Sequence, residues 1–311
     1  MTPKSALRHY WYPVATADEV AAAPRAARLL GERLVLWRAG GQVVAFQDLC
    51  IHRGTPLSLG WVDGETLVCA YHGWAYGAAG ACVRIPAVPP ERAIPRKARA
   101  TAYRAQEAYG LVWVCLDEPR APLPAFPEYA DPAYQTYWRQ FEWQAGAARM
   151  IENVMDFAHL PWVHEGLLGD RSRPVPPRIA VEVDGNTLRY AVDVESEVRV
   201  YRVDLPYTMH LVKRDRDPAV PERRALLFAC CPLSERETRL YFGVARNFGL
   251  DGSDDAFKQL NATVMEQDRG IVESQRPEEL PLDLSAELHL RGPDAAAVEY
   301  RRALARLGVT P

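Results

Sequence analysis

Two short stretches, Cys50-Ile51-His52 and Cys69-Ala70-Tyr71-His72, decide how this chain is read, and sixteen residues lie between them. Each pairs one thiolate with one imidazole. Two Cys and two His on paired loops make a four-donor metal set. An all-cysteine set would suit zinc or a plant-type iron–sulfur cluster, whereas this mixture suits a Rieske [2Fe–2S] centre, in which two thiolates hold one iron and two imidazoles the other. Arg53-Gly54 follows the first pair and Gly73-Trp74 the second. Glycines there let backbone amides approach the sulfurs, and such hydrogen bonds tune the potential. A structural zinc knuckle is the plainer alternative. Zinc spacings usually run Cys-x2–4-Cys followed by His-x3–5-His, so one Cys-His pair per loop does not follow that grammar.

A second donor set lies downstream in Glu152-Asn153-Val154-Met155-Asp156-Phe157-Ala158-His159-Leu160-Pro161-Trp162-Val163-His164. Asn153, Asp156 and His159 recur every three residues and share one face of a helix predicted over 145–160. His164 is about 140° away from His159 on an ideal helix. Pro161 disturbs the helix between them, which allows His164 to come round to His159. Two imidazoles and one carboxylate would form a facial triad for non-haem Fe(II) with open positions for oxygen. The carboxylate must come from elsewhere. In a helix predicted over 254–274, Phe257, Leu260, Val264, Ile271 and Val272 form an apolar stripe, and Asp268 falls inside it. A carboxylate facing the core is costly unless it is paired or bound to metal. Asp268 is therefore the expected third ligand, with a buried salt bridge to arginine as the alternative reading. Glu266, Arg269 and Glu273 read as solvent-facing charges, and Glu273 is a weaker candidate ligand. His210, between Met209 and Leu211, reads either as a pocket residue or as a buried, hydrogen-bonded core histidine. Lys213-Arg214-Asp215-Arg216 reads as a solvated loop.

Around these sites the chain has room for two domains in its 311 residues. Short apolar runs with Gly and Pro punctuation, including a hairpin signal at Gly40-Gly41, predict an antiparallel β domain over residues 1–120. Residues 121–133 form a proline-rich linker. Residues 134–311 form a second domain, ordered as strand, helix, strands at about 179–248, and helices at 254–274 and 293–307. The class is α+β, with an amino-terminal antiparallel domain and a carboxy-terminal antiparallel sheet flanked by helices. Net charge is −3 without a basic stripe, so nucleic acid is not an expected partner. No apolar run reaches the ~18 residues of a membrane span, so no membrane association is expected. The opening ten residues lack the apolar core of a signal peptide. Of six cysteines, Cys82, Cys115, Cys230 and Cys231 sit in strand-like apolar contexts and read as buried thiols. A reducing, cytoplasmic location is expected.

Cys-x-His, sixteen residues, Cys-x2-His, with Tyr71-His72-Gly73-Trp74, resembles the cluster motif of Rieske-type oxygenases, and Asn153-x2-Asp156-x2-His159-x4-His164 resembles the mononuclear-iron motif of the same family. Many members carry proline where this chain has Ala70, a change that affects loop stiffness and not ligation. The resemblance is to terminal oxygenase components of the phthalate- and vanillate-demethylase type. It implies that Cys50, His52, Cys69 and His72 hold a Rieske cluster and that His159, His164 and Asp268 hold Fe(II). Family members likewise take the carboxylate from a late helix. The resemblance also implies a head-to-tail homotrimer in which Asp156 bridges His72 of one chain to His159 of the next. The chain has no Gly-x-Gly-x-x-Gly fingerprint and no second cysteine cluster, so electrons from NAD(P)H should arrive through a separate reductase, a ferredoxin or both. The implied reaction is O2-dependent hydroxylation or oxidative demethylation of a small aromatic substrate. By analogy with short family members it is favoured over cis-dihydroxylation. A Rieske electron carrier is the alternative from another class, and it would need only the first ~115 residues.

Overall fold

The structure is a computed structural model, and it describes residues 4–194 and 197–309. Residues 1–3, which open the stretch read above for a signal peptide, lie outside the described residues. The chain divides into two compact units. One runs from Arg8 to Pro122, and the other from Leu123 onward together with the first helix, α1 (Lys4–Leu7).

The first unit is built from ten strands: β1 (Tyr12–Thr16), β2 (Arg25–Leu29), β3 (Glu32–Ala39), β4 (Gln42–Gln47), β5 (Trp61–Asp63), β6 (Thr66–Val68), β7 (Ala75–Gly77), β8 (Cys82–Arg84), β9 (Ala102–Ala108) and β10 (Leu111–Cys115). They form a six-stranded sheet in the order β1-β10-β9-β4-β3-β2 and a four-stranded sheet β5-β6-β7-β8. Every pairing is antiparallel. The β3–β4 hairpin turns at Gly40-Gly41, both at positive φ, which is the geometry a two-residue turn demands. Val35, Trp37, Phe46, Leu57, Leu67 and Tyr76 make a core that also encloses Cys50 and Cys69.

The second unit carries a seven-stranded antiparallel sheet: β11 (Gln135–Trp143), β12 (Glu182–Asp184), β13 (Thr187–Val194), β14 (Glu197–Asp204), β15 (Thr208–Asp215), β16 (Arg223–Ser234) and β17 (Glu237–Arg246), in the order β11-β17-β16-β15-β14-β13-β12. Residues 195 and 196, within the stretch expected to form strands at about 179–248, lie outside the described residues. Helices α2 (Ala147–Met155), α3 (Leu160–Val163), α4 (Asp255–Ser274) and α5 (Ala295–Arg306) complete the unit. Arg301 on α5 bonds both carboxylate oxygens of Glu152 on α2 at 2.6 and 2.8 Å, and it also reaches Glu287, which Arg149 of α2 shares. These buried charges are paired, as burial requires, and they fix α2 against α5.

Several local expectations are corrected. The helix predicted over 145–160 stops at Met155. Pro161 does not break a helix but opens the short α3, a position where its missing N–H costs nothing. Ile271 leaves the apolar stripe of α4 and is half exposed, while Met265, Asp268 and Val272 form its buried line. The run beginning at Lys213 is no solvated loop: β15 extends through Asp215, and Lys213 is 8% exposed. Within the stretch read as a proline-rich linker, residues from Leu123 on belong to the second unit. Phe126 is buried with its ring edge-on to Trp138 at 5.8 Å, and Arg202 donates to the Ala125 carbonyl.

Candidate active site

The amino-terminal donors sit on two loops of the same design. In the first, Cys50 N–H donates to Thr55 O and Gly54 N–H to Cys50 O, at 2.8 and 2.9 Å. In the second, Cys69 N–H donates to Trp74 O and Gly73 N–H to Cys69 O, at 2.9 and 3.0 Å. Gly54 and Gly73 both lie at positive φ, +73° and +67°, where a side chain is strained. A Cβ on Gly73 would also press on Pro86 at 3.1 Å. Tight reversal brings Tyr71 and His72 amides onto the Cys69 sulfur, while burial and the nearby Cys50 hold its thiol up. The Tyr76 hydroxyl lies 3.1 Å from Cys50 Sγ.

The four donors separate into two kinds of site. Cys50 and Cys69 are buried, whereas His52 and His72 reach the surface with ring centroids 4.6 Å apart. His52 stacks on Trp74 at 4.5 Å, and its buried Nδ1 has no hydrogen-bond partner. Burial lowers its pKa, with His72 and Arg53 adding to the effect. A buried thiol pair beside an outer imidazole pair fits a two-iron group with unlike ends. Among the described residues it is a different trio, His159, His164 and Asp268, whose donor atoms all gather within 4.8 Å of one another, as a single ion requires.

That trio is assembled by a break in the helix. Asp156 caps the end of α2 in extended conformation, and its carboxylate accepts from the amides of Ala158 and His159 at 3.2 and 2.9 Å. This turn, and not a continuous helical face, swings His159 under Asp156. His159 Nδ1–H then donates to Asp156 Oδ2 at 2.8 Å, because an ionised carboxylate only accepts. Burial opposes ionisation of Asp156, but its bonds to His159 and Ala158 outweigh that and lower its pKa. One turn of α3 separates His159 from His164, so the rings meet edge-on at 5.2 Å. His164 Nδ1–H donates to Gln267 Oε1 at 2.8 Å.

Both Nδ1 atoms are thus committed to outer partners, and both Nε2 atoms point at Asp268 Oδ1, at 3.6 Å from His159 and 3.0 Å from His164. Three lone-pair donors face one point, and Asp268 Oδ1 is buried with no hydrogen bond of its own. Without a cation such an arrangement is repulsive, and two imidazoles with a carboxylate suit non-haem Fe(II). Among the described residues no arginine pairs with Asp268, while Glu273 is occupied by Arg269 and the Gln144 amide. Burial works to lower the His164 pKa, but the Asp268 carboxylate 3.0 Å away and the bond to Gln267 outweigh it and leave it raised. Gln267 was not singled out in the sequence. Its only sign there is that it precedes Asp268 on a helix. His210 is a core histidine, 3.0 Å from Glu128.

A cavity opens beside the trio. Its walls are Tyr201, Leu211, Leu226, Phe228 and Phe242 from the sheet, and Leu260, Val264 and Met265 from α4. The sheet residues alternate along their strands, as one face of a sheet must. Aromatic and aliphatic side chains make up most of the cavity wall, with the His159–His164–Asp268 trio at one side, which is the makeup of a small-molecule site.

Comparison with known proteins agrees with both halves. A Rieske [2Fe–2S] domain matches residues 10–104, and a vanillate O-demethylase oxygenase C-terminal domain matches residues 143–200 and 191–310. The chain is 32% identical to the methylxanthine N1-demethylase of Pseudomonas putida, over 97% of this chain and 89% of that one. It is 33% identical to the vanillate O-demethylase oxygenase subunit of a Pseudomonas species, over 60% of this chain and 52% of that one. The solved structure of a Pseudomonas putida NdmA mutant with theobromine superposes with a TM-score of 0.91 at 31% identity, covering 99% and 92% of the two chains. Matching folds, cofactor domains and relatives of this kind make the chain a member of the Rieske non-haem iron oxygenases, a terminal oxygenase component with a Rieske [2Fe–2S] cluster and a mononuclear iron.

Proposed function

We propose that the enzyme removes a methyl group from, or hydroxylates, a small aromatic ring, with Cys50, His52, Cys69 and His72 holding the cluster and His159, His164 and Asp268 holding the iron. The observation that carries this reading is the convergence of three donors, His164 and Asp268 buried and His159 partly so, on one point at the wall of an aromatic-lined cavity. The iron supplies the oxygen chemistry when bound, and the cluster passes in electrons that a separate reductase or ferredoxin draws from NAD(P)H. The chain's own residues do the rest. Asp156 and Gln267 hold the two imidazoles in the tautomer that leaves Nε2 free. Leu226, Phe228 and Phe242 pack the ring and exclude water. Demethylation is favoured because the relatives include N- and O-demethylases.

The enzyme works as a head-to-tail homotrimer in the cytoplasm in this reading. Asp156 is the bridge, since its carboxylate already holds His159 and has acceptor capacity left for an imidazole N–H of a neighbouring chain. Residues 1–120 form the cluster domain, 121–133 the linker and 134–311 the catalytic domain. The test is to reconstitute NAD(P)H-driven turnover with aromatic acids, methyl ethers and N-methyl compounds. Formaldehyde release with about three irons per chain is expected. A cis-diol product would replace demethylation with dihydroxylation. About two irons per chain and no O2 uptake would overturn the reading.

A further inference from the structure

The cavity has a second chemical feature. Register places Arg199 opposite Lys213, Lys213 opposite Arg224, and Arg224 opposite Arg246, so four cations cross β14, β15, β16 and β17 in one row. Like charges set directly opposite on a sheet repel. The two outer members are answered. Arg199 donates to Glu197 at 2.7 Å. Arg246 donates to Asp254 at 2.7 Å, to Gln135 and to the carbonyls of Phe248 and Gly249. The two inner members are not. Among the described residues, no hydrogen bond or ion pair reaches the Lys213 ammonium or the Arg224 guanidinium, and Arg224 Nε is buried without a partner. Both side chains line the cavity that holds His159, His164 and Asp268.

Lys213 is buried and Arg224 half-buried, and neither has a hydrogen-bonded anion; Glu197, already held by Arg199, acts on them only from a distance, so the pair lacks a full counter-charge. We propose that the substrate supplies it: the aromatic ring carries an oxyanion, a carboxylate or sulfonate, that docks between Lys213 and Arg224. The inference rests on the oxygenase reading above and deepens it by naming the substrate class. Arg224 offers a planar fork matched to two oxygens, and Lys213 offers a point charge beside it. The intervening Leu211, Leu226 and Phe228 give the ring an apolar bed next to that anchor. Burial, with Arg199 and Arg224 close by, pushes the Lys213 ammonium down to about 7, a shift that a bound anion would reverse. Caffeine and theobromine, the ligands in the solved NdmA structures, are uncharged and would not answer this pair.

The test is equilibrium binding to the iron-loaded oxygenase under anaerobic conditions, read by calorimetry. The probes are 4-methoxybenzoate, 4-methoxybenzenesulfonate, the uncharged 4-methoxybenzamide, and caffeine. At least one anion should bind roughly tenfold or more tightly than the amide and caffeine. Which anion wins separates carboxylate from sulfonate. Lys213→Met and Arg224→Met should each erase the preference, and Lys213→Arg should keep most of it. Lys213→Met removes a buried charge and should melt no lower than the parent, so lost binding cannot be blamed on lost fold. The inference falls if the amide binds as well as the anions, if no anion binds, or if Lys213→Met and Arg224→Met leave the preference intact. Its failure is distinguishable from that of the oxygenase reading. Three irons and demethylation of uncharged rings alone would sink only the anion, whereas two irons with anion binding through Lys213 and Arg224 would sink only the oxygenase.

Discussion

At the scale of single residues, what matters is which nitrogen of each imidazole is spoken for. Gln267 holds His164 by Nδ1, as Asp156 holds His159. Removing such an outer partner usually costs 10–100-fold in metal affinity. Gln267→Leu should therefore lose mononuclear iron at correspondingly lower chelator concentrations while the cluster absorption stays unchanged; unaltered iron retention would show that Gln267 only fills space. His159 and His164 could be read from the sequence because histidines near an acid are rare enough to notice. Gln267 could not, because an amide beside a carboxylate on a helix has many ordinary explanations. Lys213 was misread for a related reason: a run of charges looks like a loop until the strand's two-residue alternation turns one of them inward. Its pKa has a consequence for stability. The ammonium titrates near 7 in the folded chain against an ordinary 10.5 when unfolded. Between those values the unfolded chain binds more protons, so this group's penalty is full below about 7 and is relieved as pH rises toward 10. Arg199 and Arg224 worsen the penalty and Glu197 eases it. Lys213→Met should stabilise the protein by roughly 2–4 kcal/mol at pH 6, a pKa unit being about 1.4 kcal/mol. That gain should shrink by pH 9.5 in denaturant melts of parent and variant at equal metal loading.

At the scale of elements, both proposed metal sites depend on interruptions. The two cluster loops need left-handed glycines, and the iron site needs α2 to end at Asp156 so that a second, one-turn helix can begin at Leu160. Periodicity alone favours an unbroken helix through this region, since Asn153, Asp156 and His159 fit its spacing. The break was hidden because Asp156 serves as the cap, and a capping aspartate looks identical to a face residue in sequence. The apolar stripe of α4 was legible because three helical turns of spacing averaged out one wrong member, Ile271. The glycines make a graded prediction. Gly54→Ala meets no atom within 4 Å and carries only the cost of its φ, about 1 kcal/mol, whereas Gly73→Ala adds a clash with Pro86. Cluster content, measured as acid-labile sulfide per chain, should fall modestly in the first variant and further in the second. Equal losses would mean that backbone strain alone decides loop closure.

At the scale of the whole molecule, two antiparallel units with separate cores were readable from the alternation of strand runs and the proline-rich stretch after residue 117. The docking of Leu123 onward against the seven-stranded sheet was not, because prolines signal stiffness and say nothing about what Phe126 buries. Assembly is harder still to read, since a symmetric interface leaves no periodic mark in one chain. It is nonetheless testable through the wiring proposed for Asp156. Two variants, each inactive alone, serve: His159→Ala, which keeps the cluster but loses the iron, and Cys69→Ser, which keeps the iron but loses the cluster. If electrons cross from one protomer to the next, a trimer containing both must include interfaces where an intact cluster faces an intact iron. Co-expressed at equal levels and assorted at random, the mixture should recover about a quarter of parental turnover, since each such interface needs the right chain on both sides. If electrons pass within one chain, no protomer in the mixture has both stations and turnover stays at zero. Introducing Asp156→Ala into the His159→Ala chain should leave the recovered activity intact, because that chain only donates. Placing it in the Cys69→Ser chain should abolish the recovery, because Asp156 there stands beside the working His159. Recovery that ignored which chain carried the change would remove Asp156 from the path while leaving the crossing between protomers in place.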